Sequence, residues 1–168
     1  KRQGIKTPMI MTWRNKIKSN TQFDGFISAL DIFKTSLEVS KVNDELMVNA
    51  DGKNIMNYIN DNTIQNENLF WRKDKMATVR SGNYKLIRLN DTSTVLYNIE
   101  NNYFEDLDLK LKEPSVHDSL FKLLLDWEDR LIDPNWVENK DWNIVTEMIY
   151  EDLMANKDIR AVSPKDLN

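Results

Sequence analysis

Two rhythms of apolar and polar positions run along the chain, one with the period of a helix and one with the period of a strand. Pro8-Met9-Ile10-Met11-Thr12-Trp13 is a short, nearly continuous apolar run opened by a proline, the pattern of a strand covered on both faces. The neighbours of such a strand must come from elsewhere, because Arg14 to Asp24 is polar and loop-like. From Phe26 to Val39 the residues Phe26, Leu30, Phe33 and Leu37 recur at helical spacing, with Ile27 and Ile32 widening the stripe. This predicts a helix that Asn43 and Asp44 end. A short helical turn is expected from Asn54 to Ile59, entered through Asp51-Gly52 and left through the polar stretch Asn60 to Asn68.

The middle third changes to the strand rhythm. Leu69 to Arg72, Met76 to Arg80, Asn83 to Leu89 and Thr94 to Ile99 are short β-type runs. They are separated by turn chemistry at Lys73-Asp74-Lys75, Ser81-Gly82 and Asn90-Asp91-Thr92-Ser93. Connections this short favour an antiparallel meander over crossover helices. In the last run Val95, Tyr97 and Ile99 alternate with Leu96 and Asn98, so one face is expected to be buried and the other only partly so. Pro114 suits the first turn of a helix, and Val116, Leu120, Leu123, Leu124, Trp127 and Leu131 form a stripe continuing to Pro134. That stripe should pack across the sheet. A last helical pattern holds Ile144, Met148 and Tyr150 to Leu153, and a polar tail from Asn156 is expected to fray.

Composition narrows the chemistry. The 168 residues are 40% hydrophobic and 30% charged, without a long apolar segment or a low-complexity tract, as in a globular protein. The formal net charge of −4 comes from interleaved acids and bases, which argues against a general nucleic-acid binder. The absence of Cys removes disulfides and thiolate chemistry, and the single His117 removes any multi-histidine metal cage. The chain opens at Lys1-Arg2-Gln3 without a Met or a signal-like segment, and is expected to be a piece of something longer or a processed product.

Among the remaining candidates, Glu105-Asp106, Asp106/Asp108 and Glu128-Asp129 lack calcium-loop spacing, and are expected to be solvated surface. Glu128-Asp129 is placed on the solvent side of its helix. His117, one residue past Val116, is expected at a surface or edge. Trp13 and Trp127 fall in apolar patterns and belong to the core. Trp71 differs, because Arg72 and Lys73 follow it at a hairpin corner. An aromatic beside two cations can bind an anionic sugar, so Trp71, Arg72 and Lys73 are the candidate binding residues. Asn90-Asp91-Thr92 fits the glycosylation sequon.

The order of segments resembles a family. Gly4-Ile5-Lys6-Thr7-Pro8-Met9-Ile10-Met11-Thr12-Trp13, followed by Lys16-Ile17, resembles the G-[IV]-R-x-P-hydrophobic-W-P-G-K-I stretch of the type I sulfatases. Ser28-Ala29-Leu30-Asp31-Ile32-Phe33-Lys34-Thr35-Ser36-Leu37-Glu38 is similar to their S-x-L-D-I-F-P-T-L-L-E helix, and Asp51-Gly52-Lys53-Asn54-Ile55 to their D-G-x-[ND]-L. Val79-Arg80-Ser81-Gly82-Asn83-Tyr84-Lys85-Leu86-Ile87, then Leu96-Tyr97-Asn98-Ile99-Glu100-Asn101, resembles [VM]-R-x-G-x-[YW]-K-L-[IV] and L-[YF]-N-L-x-x-D.

The resemblance covers the carboxyl-terminal part of that family. It implies an α+β arrangement: the last strand and helix of the large α/β domain (residues 1–62), an antiparallel four-stranded sheet packed on a long helix (63–133), and a helical extension with a polar tail (134–168). It also implies sulfate-ester hydrolysis by a formylglycine nucleophile with bound calcium, both expected in a missing amino-terminal portion. The nucleophile motif Cys/Ser-x-Pro-x-Arg has no counterpart, since neither Ser115 nor Ser163-Pro164 fits it. Arg2-Gln3-Gly4 stands for Glu-Gly-Gly, Arg14 and Asn15 for Pro and Gly, and Lys34 for the helix Pro. This chain alone is therefore expected to be inactive.

By the same resemblance Arg72 and Lys73 occupy substrate-facing positions, whereas Arg80 and Lys85 are expected to pair with carboxylates on the sheet surface. The implied partners are a sulfated carbohydrate or other sulfate ester, and the missing catalytic portion or a second copy; no nucleic acid or membrane partner is expected. The implied parent is periplasmic or extracellular. The alternative is a self-standing, non-catalytic domain that binds an anionic sugar or a protein.

Overall fold

The computed structural model describes residues 7–41, 49–62, 68–100 and 105–167. They fall into two compact units, within Thr7–Glu67 and within Asn68–Asn168. Gly4, Ile5, Lys6, Asn43, Asp44 and Asn101, on which some sequence expectations rest, lie outside the described residues.

In the first unit, α1 spans Ala29–Val39. It begins later than the apolar stripe because Ser28 forms a capping box with Asp31: the Ser28 side chain accepts from backbone N–H groups, and Asp31 Oδ2 accepts from Ser28 N at 2.7 Å. The helix buries the opposite face from the one its pattern predicts. Asp31 and Thr35 point inward, while Leu30, Ile32 and Phe33 remain 48–55% exposed. Asp31 Oδ1 also accepts from Lys53 N at 2.9 Å, and Thr35 Oγ1 accepts from Ile55 N at 2.9 Å. Asn54 caps the 3-10 turn Ile55–Asn57 and donates to Glu38 at 2.8 Å. Ile55 and Tyr58 close this junction with almost no exposure.

Pro8 to Trp13 forms no strand, and Met9, Ile10 and Trp13 are exposed. The physical reason is that no described segment offers it a hydrogen-bond ladder, and an apolar run without a ladder or cover cannot hold strand structure. Trp13 is accordingly not a core residue.

The second unit has the predicted α+β architecture. Strands β1 (Asn68–Lys73), β2 (Met76–Ser81), β3 (Tyr84–Arg88) and β4 (Thr94–Asn98) form an antiparallel meander in chain order. The β2–β3 turn places Gly82 at φ +53°, which glycine adopts at no steric cost. Helix α2 (Pro114–Glu128) covers one face, starting at the proline. Phe70, Val79, Leu86 and Leu96 form a row of paired residues across the sheet and meet Leu120 and Leu124. Trp127 stacks on Phe70 with ring centroids 4.9 Å apart. The helix stops at Glu128, short of Pro134, and Leu131 lies beyond it, partly exposed.

Both faces of β4 are covered. Val95, Tyr97 and Ile99 form a second cluster with Ile87 and with Met154 of α3 (Lys140–Met154). The tail beyond Asn156 does not fray within the described residues. Arg160 grips Asp152 through Nε at 2.8 Å, Ala161 is buried, and Asp166 accepts from the backbone N–H groups of Val162 and Ser163. Tail charges thus find fixed partners that the composition of a polar tail does not disclose.

Candidate functional site

The candidate corner is the β1–β2 hairpin. Lys73 pairs with Met76 across a tight turn in which Asp74 takes φ +52°, a conformation that Asp tolerates better than most residues. Successive strand side chains point to opposite faces. Phe70 and Arg72 therefore face α2, where Trp127 and Glu128 meet them, and Trp71 and Lys73 face the other way. The sequence neighbours Trp71, Arg72 and Lys73 are divided by the sheet.

Arg72 is engaged on its own face. Its Nε donates to the Asp74 carbonyl at 3.1 Å and lies 3.6 Å from Glu128. Arg88 binds the same carboxylate at 2.7 Å. Glu128 is thus a largely buried bridge between two arginines rather than solvated surface. The signal was in the sequence, since Glu128 follows Leu124 by four residues and so shares the inward stripe. Lys73 reaches Glu138, in the segment before α3, at 3.0 Å, with the two side chains 54% and 32% exposed. Asp74 accepts from Asn143 of α3 at 3.1 Å. Trp71 is about one-third exposed. Between the hairpin and α3 lies a cavity of about 50 Å³ lined by Lys73, Asp74, Met76, Leu89, Asn143 and Glu147. That holds a few waters and is too small to enclose a sugar ring.

The other candidates have structural partners. Glu105 is fully buried and receives Lys85 Nζ at 3.1 and 3.2 Å, which corrects the expectation of a solvated Glu105 and of a surface pair for Lys85. The clue was a lysine on the same face as Ile87, Val95, Tyr97 and Ile99. Asp108 accepts from the backbone N–H groups of Leu96 and Lys110. Arg80 donates to the Gly82 carbonyl. His117 sits at the sheet edge as expected, its Nε2 2.9 Å from Thr94 Oγ1 and its Nδ1 2.9 Å from Asp118, and its ring stacks on Phe121. The order of groups is that of a proton relay. However, the Asp118 carboxylate is 78% exposed, and water competes for it. Asn90 of the sequon donates its amide to Glu147 at 2.7 Å and accepts from Thr92 and Ser93, which fixes the β3–β4 turn.

Burial, reinforced by the neighbouring Asp31 carboxylate, pushes the Tyr58 hydroxyl up to about 12. Tyr97 is raised further, by burial and then by the Asp108 and Glu105 charges. Among the described residues no three acidic or imidazole side chains converge, and the chain has no Cys. No described helix is long and apolar enough to cross a membrane.

Two solved structures share this fold. Ps i-CgsB matches with a TM-score of 0.65, and Ps i-CgsB in complex with k-i-k-neocarrahexaose with 0.64. Each is 21% identical, over 86% of this chain and 34% of that one. The chain thus spans about a third of the length of these structures. No family model matches, and neither does any curated protein.

Proposed function

We propose that this chain is the carboxyl-terminal region of a sulfatase, supplying the small domain and one wall of the groove that receives a sulfated carbohydrate. One observation carries the reading: the segments from Ser28 onward that resemble sulfatase motifs, in family order, are the ones that build a fold shared with a third of Ps i-CgsB. Asp31, Thr35 and Glu38 of the helix motif meet Lys53, Ile55 and Asn54 of the Asp-Gly motif in one junction. Val79, Leu86 and Leu96 of the later motifs form the sheet core. The matching residues are thus packing and capping residues, which supports a shared architecture. The bound oligosaccharide of the Ps i-CgsB complex supports a carbohydrate as the substrate class.

In this reading the bond-breaking groups belong to a portion not contained in this chain. The chain contributes a stacking surface at Trp71 and an ammonium at Lys73 on the outer face of the hairpin, while Arg72 ties that hairpin to α2. The test compares sulfatase activity and calcium binding of this chain with those of a version extended upstream to include a Cys/Ser-x-Pro-x-Arg segment. Activity is expected only in the extended protein. Turnover by the short chain, or an extended protein that folds and remains inactive, overturns the reading.

A further inference from the structure

We infer that Glu138 is an exchangeable occupant of the anion position at Lys73, a carboxylate that an incoming sulfate group displaces. The inference rests on the proposed role of the hairpin and adds a residue that sequence reasoning did not single out. Three lines of geometry lead to it.

The first is exchangeability. The cation–carboxylate pairs on this sheet differ in exposure. Lys85–Glu105 has side chains 7% and 0% exposed, and Arg88–Glu128 has 12% and 9%, so neither can open without stranding a buried charge. Lys73–Glu138, at 54% and 32%, is more open than either, although Glu138 Oε2 itself is covered. A pair of that kind is worth little, and a ligand anion can replace it at small cost.

The second is juxtaposition. Trp71 and Lys73 lie two residues apart on one strand face, about 6.6 Å along the strand. A sugar ring stacked on the indole therefore carries its sulfate ester towards the Lys73 ammonium. Glu138 holds that position now.

The third is the effect of release on the loop. Glu138 ends a loop in which Ile132, Trp136 and Val137 are 79–87% exposed, and Lys73 ties the end of that loop to the hairpin. Displacing Glu138 frees the loop and changes the surroundings of Trp136. A sulfated sugar is thus read out in the tryptophan signal, whereas an uncharged one stacks on Trp71 and leaves the pair closed.

The experiment titrates the full 168-residue chain with k-i-k-neocarrahexaose and with its desulfated form, by calorimetry and tryptophan fluorescence. Glu138→Gln removes the competing charge and keeps the shape. It is expected to tighten the sulfated ligand about threefold, which is about 0.6 kcal/mol, and to leave the desulfated ligand unchanged. Lys73→Met is expected to abolish the difference between the two ligands. Trp136→Phe is expected to remove the part of the fluorescence change that only the sulfated ligand causes, and to keep the affinity. Unchanged or weaker affinity in Glu138→Gln overturns the inference, as does absence of binding by any variant. Because the extended-protein activity test does not depend on Glu138, an active extended enzyme with an unresponsive Glu138→Gln sinks this inference alone.

Discussion

At the scale of single residues, the first unit is held by polar contacts that an apolar pattern hides. Gly52 has φ +92°, and a Cβ there would lie 2.5 Å from the Leu30 carbonyl carbon, so only glycine lets the Asp-Gly segment reach α1. That approach brings Lys53 N to Asp31, which in turn faces the Tyr58 hydroxyl. The pairing has a pH signature. Tyr58 titrates at about 12 in the folded chain, against 10 in its ordinary state. Between those values the unfolded chain has lost a proton that the folded chain keeps, so stability falls as pH rises. The contribution is complete below pH 10 and gone above about 12. Urea denaturation across this window should show a midpoint decreasing with pH, and Tyr58→Phe should flatten the decrease. An unchanged slope in Tyr58→Phe would assign the alkaline sensitivity to Tyr97 instead.

At the scale of elements, the strands of the meander and α2 were legible because their burial follows the rhythm of the sequence. Phe70, Val79, Leu86 and Leu96 sit where alternation places them, and Leu120, Leu124 and Trp127 where the helical stripe does. Less legible were charged residues buried against a partner far along the chain, for which no local pattern exists. Lys85 and Glu105 are the clearest case, twenty residues apart and jointly enclosed. Glu105 sits at φ +54°, so a loop residue in a left-handed turn delivers the carboxylate under the sheet. Breaking this pair should be costly, since the remaining charge stays buried. Lys85→Met is expected to destabilise the second unit by about 3–5 kcal/mol. Lys85→Met with Glu105→Gln should recover much of the loss, because no buried charge is then left over. Chemical denaturation of the two variants measures the difference. Equal losses in both would show that Glu105 matters for its shape and hydrogen bonds rather than its charge.

At the scale of the molecule, the two units differ in how completely they bury what they should. The sheet unit covers both faces of β4, and its sheet core is closed. In the unit within Thr7–Glu67, the stripe of α1 that the sequence marks as its apolar face is open. Leu30 and Phe33 are more than half exposed, Phe26 and Val39 more than a third, and the run around Ile10 has no ladder. Burying a large apolar side chain fully stabilises by about 1.5–3 kcal/mol, so four half-exposed residues leave several kcal/mol available to whatever covers them. In the sulfatase reading that cover is the rest of the parent enzyme. The chain on its own should therefore self-associate through this stripe, with a weight-average mass by sedimentation that rises with concentration. Leu30→Ser with Phe33→Ser should hold it monomeric with unchanged helix content, because Asp31 and Thr35, not the stripe, fix α1 to its own unit. In the extended protein the same pair of substitutions should instead lower stability and sulfatase activity together. A wild-type chain that stays monomeric at high concentration would mean that the stripe tolerates water, and would favour the self-standing binding domain over the severed part of an enzyme.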